Sequence, residues 1–300
     1  MFARFSYDQA VSFVPGGSPG FAEASPFAST QNITNHGRNA AISETHVFSE
    51  HTINQINVGY NRIFNFITSF GSGTCEAQKL GIPGANLGGI SCGLTSTQMT
   101  GYWSLGDRGY APFQGGTNVF SVSDSLDMIR GSHDIKVGGS IRANQMNVLT
   151  NAFQDGYWIF SGDWAGETMA SFLLGLPDLA IHDQTFDGTI TGRRWKMFRP
   201  FIQDDWRVTK DLTLNLGLAW ALVTPITEEA NRQANFDFAT SQFLIAGQGA
   251  NPQAGIQLDK TALEPRIGLA WKPKGSQNTV LRGGYAIFHD SSWNQGAQGL

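Results

Sequence analysis

The side chains in this sequence that could do chemistry are few and scattered. Six histidines are present, and three are followed at once by aspartate: His133–Asp134, His182–Asp183 and His289–Asp290. A histidine held by a carboxylate is one half of a general-base system. Neighbours on an extended chain, however, project to opposite faces, so adjacency does not make a dyad. No serine has the Gly-x-Ser-x-Gly setting that presents a nucleophile. The acidic neighbours Asp204–Asp205 and Glu228–Glu229 lack the carboxylate spacing of a calcium loop and any histidine partner. Gly283 and Gly284 beside Arg282 lie in a strand-like run with no helix after them, which is not the setting of a phosphate loop. The two cysteines, Cys75 and Cys92, fall in one long loop without the paired spacing zinc takes. A disulfide pinning that loop is expected, with two free thiols as the alternative. No catalytic, cofactor-binding or metal-ligating residue is expected, and the chain is read as a non-enzyme.

The elements that position these side chains are strands. Leu212, Leu214, Leu216, Leu218, Trp220 and Leu222 take every second place of one stretch, with Thr213, Asn215, Gly217, Ala219 and Ala221 between them. That period of two gives a strand with one oily face. Before the turn at 209–211, Phe198, Pro200, Ile202, Trp206 and Val208 alternate against Arg199, Gln203, Asp205 and Arg207, completing an amphipathic hairpin. The unit recurs. Strands are predicted at 2–13, 40–50, 53–66, 117–130, 134–148, 156–162, 178–190, 195–208, 212–224, 263–273 and 278–290, and one short helix near 166–176, where Met169, Phe172, Leu173 and Leu176 are helically spaced before Pro177.

Connections are of two kinds. Those at 50–52, 131–133, 209–211 and 274–277 are hairpin-sized, whereas 14–39, 67–116 and 225–262 are long and polar. Loops that long count against a compact soluble domain. They suit an outer-membrane barrel, in which short turns face the periplasm and long loops face outward. No apolar stretch approaches the ~20 residues of a spanning helix, so a membrane location would require a barrel. The 36 glycines and only 15% charged residues fit turn-rich β structure. A net charge of −4 with both signs interspersed leaves no basic face for nucleic acid.

The two faces agree from strand to strand. Phe120, Val122, Leu126 and Met128 oppose Ser121, Ser123, Ser125 and Asp127, and Ile135, Val137 and Ile141 oppose Lys136, Ser140 and Arg142. The apolar set is expected to meet outer-membrane lipid, with Trp206, Trp220 and Trp271 as an aromatic girdle. Lys136, Arg142, Arg199, Gln203, Asp205, Arg207 and Asn215 are the expected lumen-lining residues. Asp124 and Asp204 fall on the oily side; a bulge, a rim position or a shifted register would each account for them. The expected fold is therefore all-β, an antiparallel up-and-down barrel segment of about eleven strands. No signal-peptide pattern precedes Phe2, and the run 295–300 is loop-like, so residues 1–300 are expected to be a partial barrel domain.

Several segments, Met169–Pro177, Phe201–Val208 with Leu212–Trp220, Pro265–Lys272 and Val280–His289, resemble the barrel of Oar-like TonB-dependent transporters of the Gram-negative outer membrane. That resemblance, clearest over 118–289, implies a barrel of about twenty-two strands, of which about half are present here. It also implies an N-terminal plug, an energy-transducing TonB complex as partner, extracellular loops for ligand capture, and peptide or other large cargo. No plug domain or TonB box is recognisable in these residues. The alternatives are a secreted structural or adhesive β protein and, third, a small outer-membrane enzyme.

Overall fold

The computed structural model describes residues 1–16, 27–85, 92–109, 111–150, 153–182, 190–274 and 279–290. In chain order, β1 is Phe2–Val14, β2 Gln31–Ser49 and β3 Thr52–Ser69, followed by a helical turn α1, Glu76–Lys79. Then come β4 Ser96–Met99, β5 Phe113–Arg130, β6 His133–Thr150, β7 Tyr157–Phe160, helix α2 Thr168–Leu173 and β8 Leu179–Ile181. Strand β9 is Thr191–Thr209, β10 Leu212–Trp220, β11 Leu222–Val223 and β12 Thr227–Glu228. The remainder is β13 Ala234–Asp237, β14 Gln242–Ala246, β15 Gly249–Ala250, β16 Leu263–Trp271 and β17 Leu281–Ala286.

The wall is one 11-stranded sheet in the order β1-β2-β3-β5-β6-β9-β10-β16-β17, with β11 and β12 continuing the pairing along β9. Its pairings are all antiparallel. Strands β2, β3, β5, β6 and β9 run 18 or 19 residues. That exceeds the ~9–11 needed to cross hydrocarbon, so they project beyond it. At one end the turns are two residues long: Glu50–His51, Gly131–Ser132 and Lys210–Asp211. Gly131 takes φ 61°, the left-handed region a tight hairpin demands. Adjacent turns are stitched together, with Ile129 N donating to His51 O and Arg207 N to Ser132 O.

Two predicted wall strands belong elsewhere. The stretches at 156–162 and 178–190 contribute β7 and β8, which join β4 in a separate three-stranded sheet built from the long loops; residues 183–189 lie outside the described chain. Being only four and three residues long, these strands cannot span a bilayer. Strand β2 begins at Gln31, nine residues before the predicted 40, because its upper half is polar and carries no alternating oily signal.

Cross-strand register divides the side chains as the alternation requires. Ala3, Ile42, Val58, Val122, Ile141, Phe198 and Leu222 form one continuous row, and Leu126, Val137, Ile202, Leu218 and Pro265 another. Among the described residues this face is not covered by a second sheet: none of the residues in these two rows is buried, and Ile42, Val58, Val122, Ile141, Ile202 and Leu218 are each more than 40% exposed. A sandwich would bury that face. Trp206 and Trp271 lie on it near the short turns, and Trp220 near the long loops, where its indole Nε1 donates to Lys260 O at 3.0 Å.

Candidate functional site

The chemistry of the wall is on its other face. By register Lys136 opposes Gln203, Ser140 opposes Arg199, Arg142 opposes Met197, and Asn215 opposes Asp205. With Arg207 opposite Thr213, all seven residues expected to line a lumen share one side of the sheet. Some are bound to one another. Lys136 Nζ lies 3.3 Å from Asp127 Oδ2 directly across the β5–β6 ladder. Asn215 Nδ2 donates to Asp205 Oδ1 at 2.7 Å. Gly138 is where the chain must stay small: a Cβ there would meet the Phe201 ring at 3.1 Å and the carbonyl oxygen of Asp124 at 2.3 Å.

One strong feature of this face was not singled out from sequence. Glu264, fully buried, accepts from Arg199 Nη2 at 3.2 Å, from Arg266 Nη2 at 3.5 Å and from the backbone N–H of His289 at 3.0 Å. Arg199 also donates to the His289 carbonyl at 3.2 Å. A buried carboxylate is tolerable only with such partners. The clue was available: Glu264 precedes Arg266 by two positions and so shares its face. Pro265 between them lies on the oily row.

The first of the adjacent His–Asp pairs is not a dyad in the structure. His133 pairs instead with Asp204, Nδ1 to Oδ2 at 2.7 Å, and its ring stacks on Trp206 with centroids 5.2 Å apart. His182 Nε2 contacts Gln154 O at 2.9 Å, while Asp183 lies outside the described residues. The His133–Asp204 pair is on the outward face beside a short turn and hydrogen-bonds no nucleophile. It also resolves the misfit of Asp204: the register is regular there, and the carboxylate is paired at the rim. Asp124 is likewise in register and accepts from Asn54 Nδ2 at 2.7 Å, three residues beyond the His51 turn. Among the described residues no group of three or more His, Cys, Asp or Glu side chains could hold a metal ion.

At the opposite end the long loops are folded. Cys75 and Cys92 are joined by a disulfide, with Cα atoms 4.5 Å apart. The same loops carry the β4-β7-β8 sheet, and α2 is capped by Glu167, whose carboxylate accepts from Met169 N and Ala170 N. In the same loops Asp107 and Asp155 are both buried. Burial pushes the Asp107 carboxyl up to about 6, against the lowering effect of hydrogen bonds with Asp155 and with the N–H of Leu94. In the β10–β16 connection Glu228 does the reverse. Burial would raise it, but hydrogen bonds from the Arg232 side chain and from the N–H groups of Gly192, Arg232 and Ala230 hold it at about 2.

A single antiparallel wall with one uncovered oily face, one charged face, tight turns at one end and folded loops at the other is the wall of an outer-membrane barrel. The chain belongs to the outer membrane beta barrel domain family, whose profile matches residues 1–299, and this assigns it to the Gram-negative outer membrane. Solved structures with a similar course include the Escherichia coli K12 ferric-catecholate import receptor Fiu in its open form, at 14% identity and a TM-score of 0.44, covering 95% of this chain and 44% of that one. The Escherichia coli outer membrane transporter YddB aligns at 10% identity and a TM-score of 0.37, over 94% and 38% of the two chains. FpvA of P. aeruginosa, bound to heterologous pyoverdines, aligns at 12% identity and a TM-score of 0.31, over 91% and 40%. The chain thus spans less than half the length of these proteins. No curated protein matches it in sequence.

Proposed function

We propose that residues 1–300 form part of the barrel domain of a TonB-dependent transporter of the Oar-like kind, without catalytic activity of their own. One observation supports this most: a continuous inner face on which Lys136, Asp127, Arg199, Glu264, Arg266, Asp205 and Asn215 are held by mutual contacts. A passive wall needs hydration only, whereas fixed charges on a lumen give a plug, or a passing solute, something to dock against. In this reading Arg142, Arg207 and Gln203, which make no ion pair with a described residue, are the groups offered to plug or substrate. The folded loops over 70–85, 92–109, 153–182 and 224–262 form part of the outer ligand-capture surface, and peptide or another large solute is the cargo.

The test is made in the full-length parent protein. Cells carrying it should accumulate a labelled peptide mixture only while the inner membrane is energised and the TonB complex is intact. Uptake that continues unchanged after loss of either would sink the transporter reading.

A further inference from the structure

Near the long-loop end, the oily side of the wall carries two arginines that the transport reading does not use. Arg38 on β2 and Arg62 on β3 are Cα partners, so their side chains emerge side by side on the outward face. Like charges placed directly opposite on neighbouring strands repel. Among the described residues neither has a carboxylate within ion-pair distance. Arg62 Nη1 donates to the neutral Asn118 Oδ1 at 2.9 Å, and the Arg38 guanidinium lies 6.0 Å from the centre of the Tyr7 ring. The nearest acid on β1, Asp8, points to the inner face, since it pairs with Gly37. Glu229, which borders the adjoining recess, is engaged by Arg194 at 2.5 Å. The two arginines, His36 and Phe64 line a shallow recess of about 200 Å³.

Height decides what meets this pair. Arg62 lies ten residues from Thr52, at the foot of the same strand. At a rise of ~3.3 Å per residue and a tilt of ~40°, that is roughly 25 Å, the height of the oily band of such barrels. The row immediately below is Phe5, Ala40, Tyr60 and Phe120, and the next is Ala3, Ile42, Val58 and Val122. Charge therefore sits directly above an exposed apolar strip, as a phosphate sits above its acyl chains. Guanidinium forks match phosphate oxygens bidentately.

We infer that Arg38 and Arg62 bind the phosphate of a phosphorylated lipid of the outer leaflet, whose acyl chains lie along Ala40, Ile42, Val58, Phe120 and Val122. The inference rests on the outer-membrane barrel reading and goes beyond it by assigning a lipid site to the wall.

The experiment uses the full-length protein purified from outer membranes. Mixed micelles containing diphosphorylated lipid A, or the same lipid stripped of phosphate, are offered, and bound lipid is counted by native mass spectrometry. The intact protein should prefer the phosphorylated form at least tenfold. The Arg38→Gln/Arg62→Gln double variant should lose most of that preference, and Arg38→Lys/Arg62→Lys should retain a good part. Arg130→Gln, near a short turn, should change nothing. Equal binding of both lipid forms by the intact protein overturns the site and needs no variant to fold. So does a normally folded double glutamine variant that keeps its preference. Displacement of the lipid by millimolar inorganic phosphate would overturn the lipid assignment in favour of a soluble anion. Failure of the barrel reading itself would show differently, as a parent protein that does not partition with outer membranes.

Discussion

Two buried carboxylates in the loops make opposite predictions about pH. Glu228 has a folded pKa near 2 against an ordinary 4.5. Its stabilisation is therefore present above pH 4.5 and is lost as pH falls towards 2. Glu228→Gln should leave N–H donors of Gly192, Ala230 and Arg232 poorly satisfied, at a cost of about 1–3 kcal/mol for each orphaned group. Hydrogen exchange over 190–193 and 226–233 should quicken accordingly, and unchanged exchange would refute the role. Asp107 is raised, from 3.8 to about 6. The cap it helps to close is tightest below pH 4 and loosens as pH climbs through 6, because the unfolded form surrenders its proton first. Asp107→Asn, neutral at every pH, should flatten that dependence. Limited proteolysis of residues 92–109 between pH 4 and pH 8 measures it.

At the scale of elements, the two faces of β3 should respond differently to the same charge. Val58→Lys places a cation midway up the oily row and should cost about 2–4 kcal/mol in lipid, whereas Asn57→Lys on the inner face should cost close to nothing. Denaturant unfolding of the parent protein in bilayers compares them, and equal effects would mean the faces have been assigned the wrong way round. The disulfide closes a separation of 17 residues, so Cys75→Ser should loosen that loop by about 3 kcal/mol while leaving the wall unchanged. The faces of the wall were legible in advance because hydrophobic period and pleat coincide, as in the even-numbered leucines of β10. The loop sheet was not. Tyr157–Phe160 and Leu179–Ile181 look like any short apolar run, and only tertiary pairing shows that they leave the wall. Helix α2 was legible by spacing but not by burial: Thr168 and Ser171 are its buried residues, while Leu173 stands 76% exposed.

Across the whole molecule, the shared face of Lys136, Arg199, Gln203, Asp205 and Asn215 could be read from alternation, but the Arg199–Glu264–Arg266 cluster could not. It joins residues some 65 positions apart, a distance that only the β9-β10-β16 order brings together. Those strands were expected to neighbour one another; that their charges converge on one carboxylate is a matter of register. Glu264→Ala should therefore weaken the whole wall rather than one loop, leaving two guanidiniums facing each other. Loss of heat-modifiable gel mobility at a temperature several degrees lower is the expected outcome, and a variant as resistant as the parent would show the cluster to be dispensable.

Among the described residues β1 bonds to β2 alone and β17 to β16 alone. Each outermost strand thus presents a row of amide and carbonyl groups seeking a complement. Two ribbons with such open edges would zip together and precipitate, so the water solubility of residues 1–300 expressed alone would be a poor gauge of their fold.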